Sequence, residues 1–167
     1  GRAAPELYFV PSLAGLSAPW WNPTARGAFL GMHRGTTKND IIRSALEGIA
    51  LQVADLATSM KSLLGDDLKV LRADGGAAAN KFLMQFQADL LNTPVDIPRD
   101  IESTAIGAAL FAGLGVGIYK SAQDLAMTRA SDKIYSPTKD PAEISRIKSI
   151  KTGWLRAVNA VQIFAGK

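Results

Sequence analysis

The 167-residue chain has no cysteine and a single histidine, His33. The first absence excludes a disulfide framework and a thiolate metal centre, and the second excludes a histidine cluster. Long apolar runs are missing as well. The uncharged stretch Thr104 to Tyr119 is shorter than the roughly 20 residues a membrane-spanning helix requires, and it is full of Gly and Ala. The opening GRAAPELYFV has neither the charged-then-apolar pattern nor the cleavage motif of a secretory signal. These absences lead to the expectation of a cytoplasmic protein without membrane association. A formal net charge of +4 and a pI near 9.5 raise the question of nucleic acid, but the basic residues are spread and often stand beside acids, so no nucleic-acid partner is expected. The one locally basic segment, with Lys139, Arg146, Lys148, Lys151 and Arg156, has apolar positions between its charges and reads as the solvated face of an amphipathic helix.

What is present is the composition of a globular domain, 47% hydrophobic and 20% charged. A chain of this length can bury about 70% of its extended surface, enough for a core if all the core's elements are there. The run LYFVPSLAG predicts a strand, the Pro and Trp-rich LSAPWWNPTARG an ordered loop, and Ala28 to Met32 a second strand, together a hairpin around Trp20 and Trp21. Thr37 and Asp40 have capping-box spacing, and Ile42, Ala45, Leu46, Ile49, Val53, Leu56, Met60 and Leu63 then recur with helical period up to Gly65. Leu68 to Ala73 predicts a strand leading through Asp74, Gly75 and Gly76 into a helix with Phe82, Leu83, Phe86 and Leu90. Asn92, Thr93 and Pro94 end that helix, Val95 to Pro98 predicts a strand and Thr104 to Tyr119 another helix. Gly107 and Gly113 inside it imply close packing against a neighbour. Asp140, Pro141 and Glu143 start the last helix, whose apolar stripe is Ile147, Ile150, Trp154, Val158 and Val161. Alternating strands and helices place the chain in the α/β class, with part of the sheet parallel.

Chemistry concentrates in VLRADGGAAANKFLMQFQADL. Two glycines at the end of a strand let a ligand approach the backbone, and free amides at the following helix start favour phosphate. A tight turn between packed elements needs glycine equally, and the pattern is neither a Walker A loop nor G-x-G-x-x-G. His33 has no orienting acid near it in sequence and reads as a loop residue. Trp20 and Trp21 read as packing rather than a sugar platform, Arg26 as a partner for an acid such as Glu47, and Glu102 as an exposed helix-start acid.

DGGAAANKFLMQFQADLLNTPV resembles the adenosine-binding segment of the FGGY family of sugar and polyol kinases, relatives of actin, hexokinase and Hsp70. GAFLGMHRGTTKNDIIRSALEGIALQ resembles that family's C-terminal signature at Gly31, Asp40, Ile41, Ser44, Ala45, Leu46 and Glu47. PSLAGLSAPWWNPTARGAFLGMHRG is similar to the glycerol-phosphorylating branch, with Ser17 in place of the usual glycine and Asn22 in place of the usual aspartate, departures that leave room for another polyol such as erythritol.

The resemblance implies a ribonuclease H-like, actin-like ATPase lobe, a mixed sheet flanked by helices and incomplete at its N-terminal side, with residues 1–167 forming the C-terminal part of the family's second domain. It implies ATP and ADP as ligands, with Gly75, Gly76 and Asn80 at the adenine nucleotide. For Asn80 a helix N-cap is the other reading, and the two are compatible. The catalytic aspartate, the glycerol-binding residues and the phosphate loops that work with Mg²⁺ belong to a missing N-terminal portion, so this chain is expected to hold no catalytic residue and to be inactive alone. An incomplete lobe leaves an open sheet edge and an uncovered apolar face, so self-association is expected, as is a homo-oligomer. The rival reading is a non-catalytic nucleotide-binding half-lobe.

Overall fold

The computed structural model describes residues 7–126 and 130–166. Two short strands, β1 (Tyr8–Val10) and β2 (Ala28–Leu30), pair antiparallel with Phe9 opposite Phe29. The expected hairpin is therefore there, and Asn22 shapes its loop. The Asn22 side-chain oxygen accepts hydrogen bonds from the Thr24 and Ala25 amides, at 3.1 Å each, and from the Thr24 hydroxyl at 2.7 Å. The acceptor role that an aspartate would play is thus kept.

Helix α1 (Lys38–Leu64) starts on the predicted capping box. Thr37 Oγ1 accepts from the Asp40 amide at 3.3 Å while Asp40 Oδ2 accepts from the Thr37 amide at 2.9 Å. Gly65 ends it in the left-handed conformation, at φ 76°. The packing face differs from the one the periodicity suggested. Ser44, Glu47, Gly48, Ala50, Leu51 and Ala54 are buried, whereas Ile42, Ile49, Leu56, Met60 and Leu63 are exposed. Close approach selected the small residues: at Gly48 an added Cβ would overlap the Phe9 carbonyl oxygen of β1. Helix α5 (Pro141–Phe164) meets the same strand through Gly153, where a Cβ would overlap the Tyr8 side chain. Strand β1 thus lies against two helices at their glycines.

The second sheet has the order β3-β4-β5. β3 (Leu71–Arg72) runs parallel to β4 (Val95–Pro98), and β5 (Ser131–Tyr135) runs antiparallel to β4. The mixed sheet is as expected, although β3 is shorter than Leu68 to Ala73, and the sequence pattern did not reveal β5. Helix α2 (Lys81–Leu91) buries Leu83, Met84, Phe86 and Leu90 against α1 and β4, and Asn92 closes it at φ 52°. Helix α3 (Ser103–Gly115) stops short of Tyr119, and a short α4 (Ala122–Ala126) follows. The expected close packing at Gly107 is not found, since nothing described lies within 4 Å of a Cβ there; Gly113 packs only against Tyr119 and Ile118 just beyond its own helix.

One half-buried constellation ties the loop to the helices. Asp55 Oδ2 on α1 accepts from the indole nitrogens of Trp20, at 2.9 Å, and Trp154, at 2.8 Å. Trp20 is therefore a packing residue, as expected, and Trp21 is exposed. Burial pushes the Asp55 carboxyl above its ordinary 3.8, with the two indole hydrogen bonds opposing the shift. The folded state then holds the proton more tightly than the unfolded chain. This contribution to stability is complete below pH 3.8 and is lost as pH rises through the higher folded-state value. Asp55→Asn should remove that part of the pH dependence, seen as a flatter stability profile in urea unfolding from pH 3.8 upward. An unchanged profile would show that Asp55 titrates normally.

Candidate functional site

The parallel pair β3 and β4 sends both chains out of the sheet at one edge, where open α/β sheets place their ligands. β3 leaves through Ala73 and Asp74 into Gly75 and Gly76. Gly75 has φ 77° and ψ 175°, a region of backbone space that only glycine occupies readily. Its amide donates to the Ile101 carbonyl at 2.7 Å, latching the turn to the segment that follows β4. Gly76 opens a 3-10 helix (Gly76–Ala79), anchored by buried Ala78.

Asn80 then caps α2, with its side-chain oxygen accepting from the Leu83 amide at 3.0 Å. The bland role for Asn80 is therefore real. Among the described residues its amide nitrogen has no hydrogen-bond partner in the chain, so that end of the side chain is left for another group. Gly75 and Gly76 differ in the same informative way. A side chain at Gly75 is excluded by conformation, but Gly76 has no positive φ, and a Cβ built there meets nothing within 4 Å. The chain's own packing gives no reason for glycine at position 76. Three sequence-derived residues, Gly75, Gly76 and Asn80, thus lie on one six-residue segment that follows the C-terminal end of β3.

A cleft of about 190 Å³ opens beside the C-terminal end of β4, lined by Pro98, Asp100, Ser103, Ile106 and Gly107. The other sequence candidates lie elsewhere. His33 is exposed, and its Nδ1 accepts from the Gly35 amide at 3.0 Å, a local turn contact. Arg26 donates to the Pro23 and Ala25 carbonyls instead of to Glu47, correcting the suggested pair. Glu47 is held by Arg43, at 2.8 Å, and Arg146, at 3.4 Å, because α1 presents it to α5 rather than to the loop. Glu102 is an exposed residue at the start of α3, as expected. The sequence reading did not single out the Ile101 carbonyl, since a backbone latch has no residue-type signal.

Residues 2–116 match the FGGY family of carbohydrate kinases, C-terminal domain, and the chain belongs to that family. Its fold is that of the family's solved members: it superimposes on a xylulose kinase from Lactobacillus acidophilus with a TM-score of 0.76 at 26% identity, covering 96% of this chain and 32% of that one. Within the family the similarity is to glycerol kinases. The chain is 46% identical over 163 residues to the glycerol kinase of Lactococcus lactis, covering 98% of this chain and 32% of the relative, and 48% identical over 152 residues to glycerol kinase 1 of Clostridium tetani, covering 91% and 30%. It also superimposes on a Plasmodium falciparum glycerol kinase with ADP, with a TM-score of 0.79 at 36% identity over 95% of this chain and 31% of that one. The chain therefore spans about a third of the length of the relatives it matches.

Proposed function

We propose that this chain is the C-terminal part of a cytoplasmic, ATP-dependent glycerol kinase and forms the adenosine side of its cleft. The observation that carries this reading is the bare Gly76 backbone, which faces open space four residues before Asn80, whose amide nitrogen has no partner among the described residues. Such a turn lets a nucleoside and its first phosphate lie against main chain while the Asn80 amide donates to an acceptor on the ligand. ADP in a similar Plasmodium glycerol kinase supports the ligand class. On this reading the part of the protein outside this chain would hold Mg²⁺, which would spread the charge on the transferring phosphoryl group. Glycerol and the catalytic acid belong to that same part.

Helix α3 supports the existence of this covering portion. Its sequence is apolar nearly all round, yet among its residues only Gly113 is buried; Phe111 within it, and Val116 and Ile118 just past its end, are more than two-thirds exposed. An apolar helix of that kind is normally covered. The 167 residues alone should accordingly self-associate or bind ATP only weakly, and a monodisperse monomer with micromolar ATP affinity in calorimetry would contradict this.

A coupled assay of the full-length protein tests the function. Glycerol-dependent ADP release is expected, and activity on erythritol alone would move the assignment to another polyol. Gly76→Val should raise the ATP KM about tenfold or more with the glycerol KM unchanged, because it fills the approach to the backbone. Asn80→Ser should keep the helix cap, and hence the stability, while weakening ATP. If neither variant alters the ATP KM, the turn does not contact the nucleotide.

A further inference from the structure

A cleft of about 450 Å³ opens between α1 and α5 beside the Trp20 loop, a volume within the range of small-molecule sites. Its floor is apolar, with Leu51 and Leu90 buried and Leu91 partly so. Its polar groups are of two kinds, one on each helix. On α1, Asp55, Thr58 and Ser59 have the i, i+3, i+4 spacing of a single helix face. The Thr58 and Ser59 hydroxyls donate back to the Ala54 and Asp55 carbonyls, at 2.8 and 3.1 Å, which leaves their oxygens as acceptors. Asp55 gives Oδ2 to the two indoles, and its Oδ1 has no hydrogen-bond partner among the described residues. Three acceptors on one face match the three donors of an ammonium group.

On α5 the cleft is lined by Lys151, whose ammonium has neither an ion pair nor a hydrogen-bond partner among the described residues. The contacts of Arg146 with Glu47 and of Trp154 with Asp55 are equally spaced along α5 and α1, so the two helices run parallel and in step. Lys151, three residues before Trp154, therefore stands about 4.5 Å before the level of Asp55. Partial burial holds the Lys151 ammonium below its ordinary 10.5 and the Asp55 carboxyl above its ordinary 3.8. Each lacks an opposite charge.

We infer that this cleft binds an apolar α-amino acid, its ammonium held by Asp55, Thr58 and Ser59, its carboxylate by Lys151 and its side chain by Leu51, Leu90 and Leu91. A simple anion would meet Asp55 and a simple cation would meet Lys151, whereas a zwitterion gives both groups an opposite charge. Ammonium and carboxylate on one carbon also suit an acceptor face and a cation that lie less than a turn apart on facing helices. None of these groups belongs to the Gly75 and Gly76 turn, so the inference does not depend on the nucleotide reading.

Calorimetry of the full-length protein with L-leucine and L-phenylalanine tests it. A dissociation constant of about 1 mM or lower is expected for at least one of them. Isoamylamine, which is leucine without its carboxylate, and isocaproate, which is leucine without its ammonium, should each bind about tenfold more weakly than leucine or worse. Lys151→Met and Thr58→Val, both at exposed positions, should weaken the amino acid about tenfold and about fivefold, with the melting temperature of the unliganded protein and the ATP KM unchanged. Absence of binding at roughly 10 mM of either amino acid would overturn the site. So would affinity indifferent to both variants, or isoamylamine or isocaproate binding as tightly as leucine.

Discussion

Gly48→Ala should destabilise the fold by about 3 kcal/mol or more, lowering the melting temperature by on the order of 10 °C in a domain of this size. A methyl at this position would overlap the Phe9 carbonyl oxygen, and the obstacle is backbone in a paired strand rather than a side chain that can swing away. Helix α1 would have to lift from β1 along a face containing Ala50, Leu51 and Ala54. The gain in helix propensity from Gly to Ala, about 1 kcal/mol, is too small to offset this. Chemical unfolding of the variant checks the expectation, and a variant as stable as the parent would mean that the close approach of α1 to β1 is not required.

Arg146→Ala should cost about 3 kcal/mol. Glu47 is 2% exposed, and its carboxylate depends on Arg43, itself substantially exposed, and on Arg146 from the distant helix α5. Arg146 is also held by Glu143, through Nη2 at 2.6 Å, and lies over the Phe86 ring at 5.7 Å. The hydrogen bond to Glu143 is the main reason the guanidinium is held above its ordinary value, and Glu143 is correspondingly lowered by Arg146. Removing Arg146 strands a buried charge with one exposed partner. Replacing both members, Glu47→Gln with Arg146→Met, should therefore be less damaging than Arg146→Ala alone. Unfolding free energies for the two variants decide the matter. A single variant that is no worse than the double one would show that Glu47 is adequately served by Arg43.

These two positions show where sequence reasoning reaches its limit. The cap at Thr37 and Asp40, the stop at Gly65, the Asn80 cap and the Asp140-Pro141 start are all local, and each was legible because its hydrogen bonds lie within a few residues. The turn at Gly75 and Gly76 was legible for the same reason. Strand β5 was not, since SDKIY has no apolar alternation and exists as a strand because β4 offers it an edge. The buried side of α1 was misjudged because the periodicity of large apolar residues marks a face that wants cover, without saying what covers it. The tighter contact is made by the small residues on the other side.

The sequence by itself determined the order of β1 to β4 with α1, α2, α3 and α5, the caps of α1, α2 and α5, and the turn of the glycine pair with Asn80, because each depends on the conformational preferences of neighbouring residues. Tertiary structure alone decided which face of α1 meets β1, that Glu47 joins Arg146 rather than Arg26, and that Asp55 collects Trp20 and Trp154. The last two outcomes join side chains 35 and 99 positions apart. Side-chain type sets what such groups can bond to, but only the packing of helices on strands brings particular partners within reach.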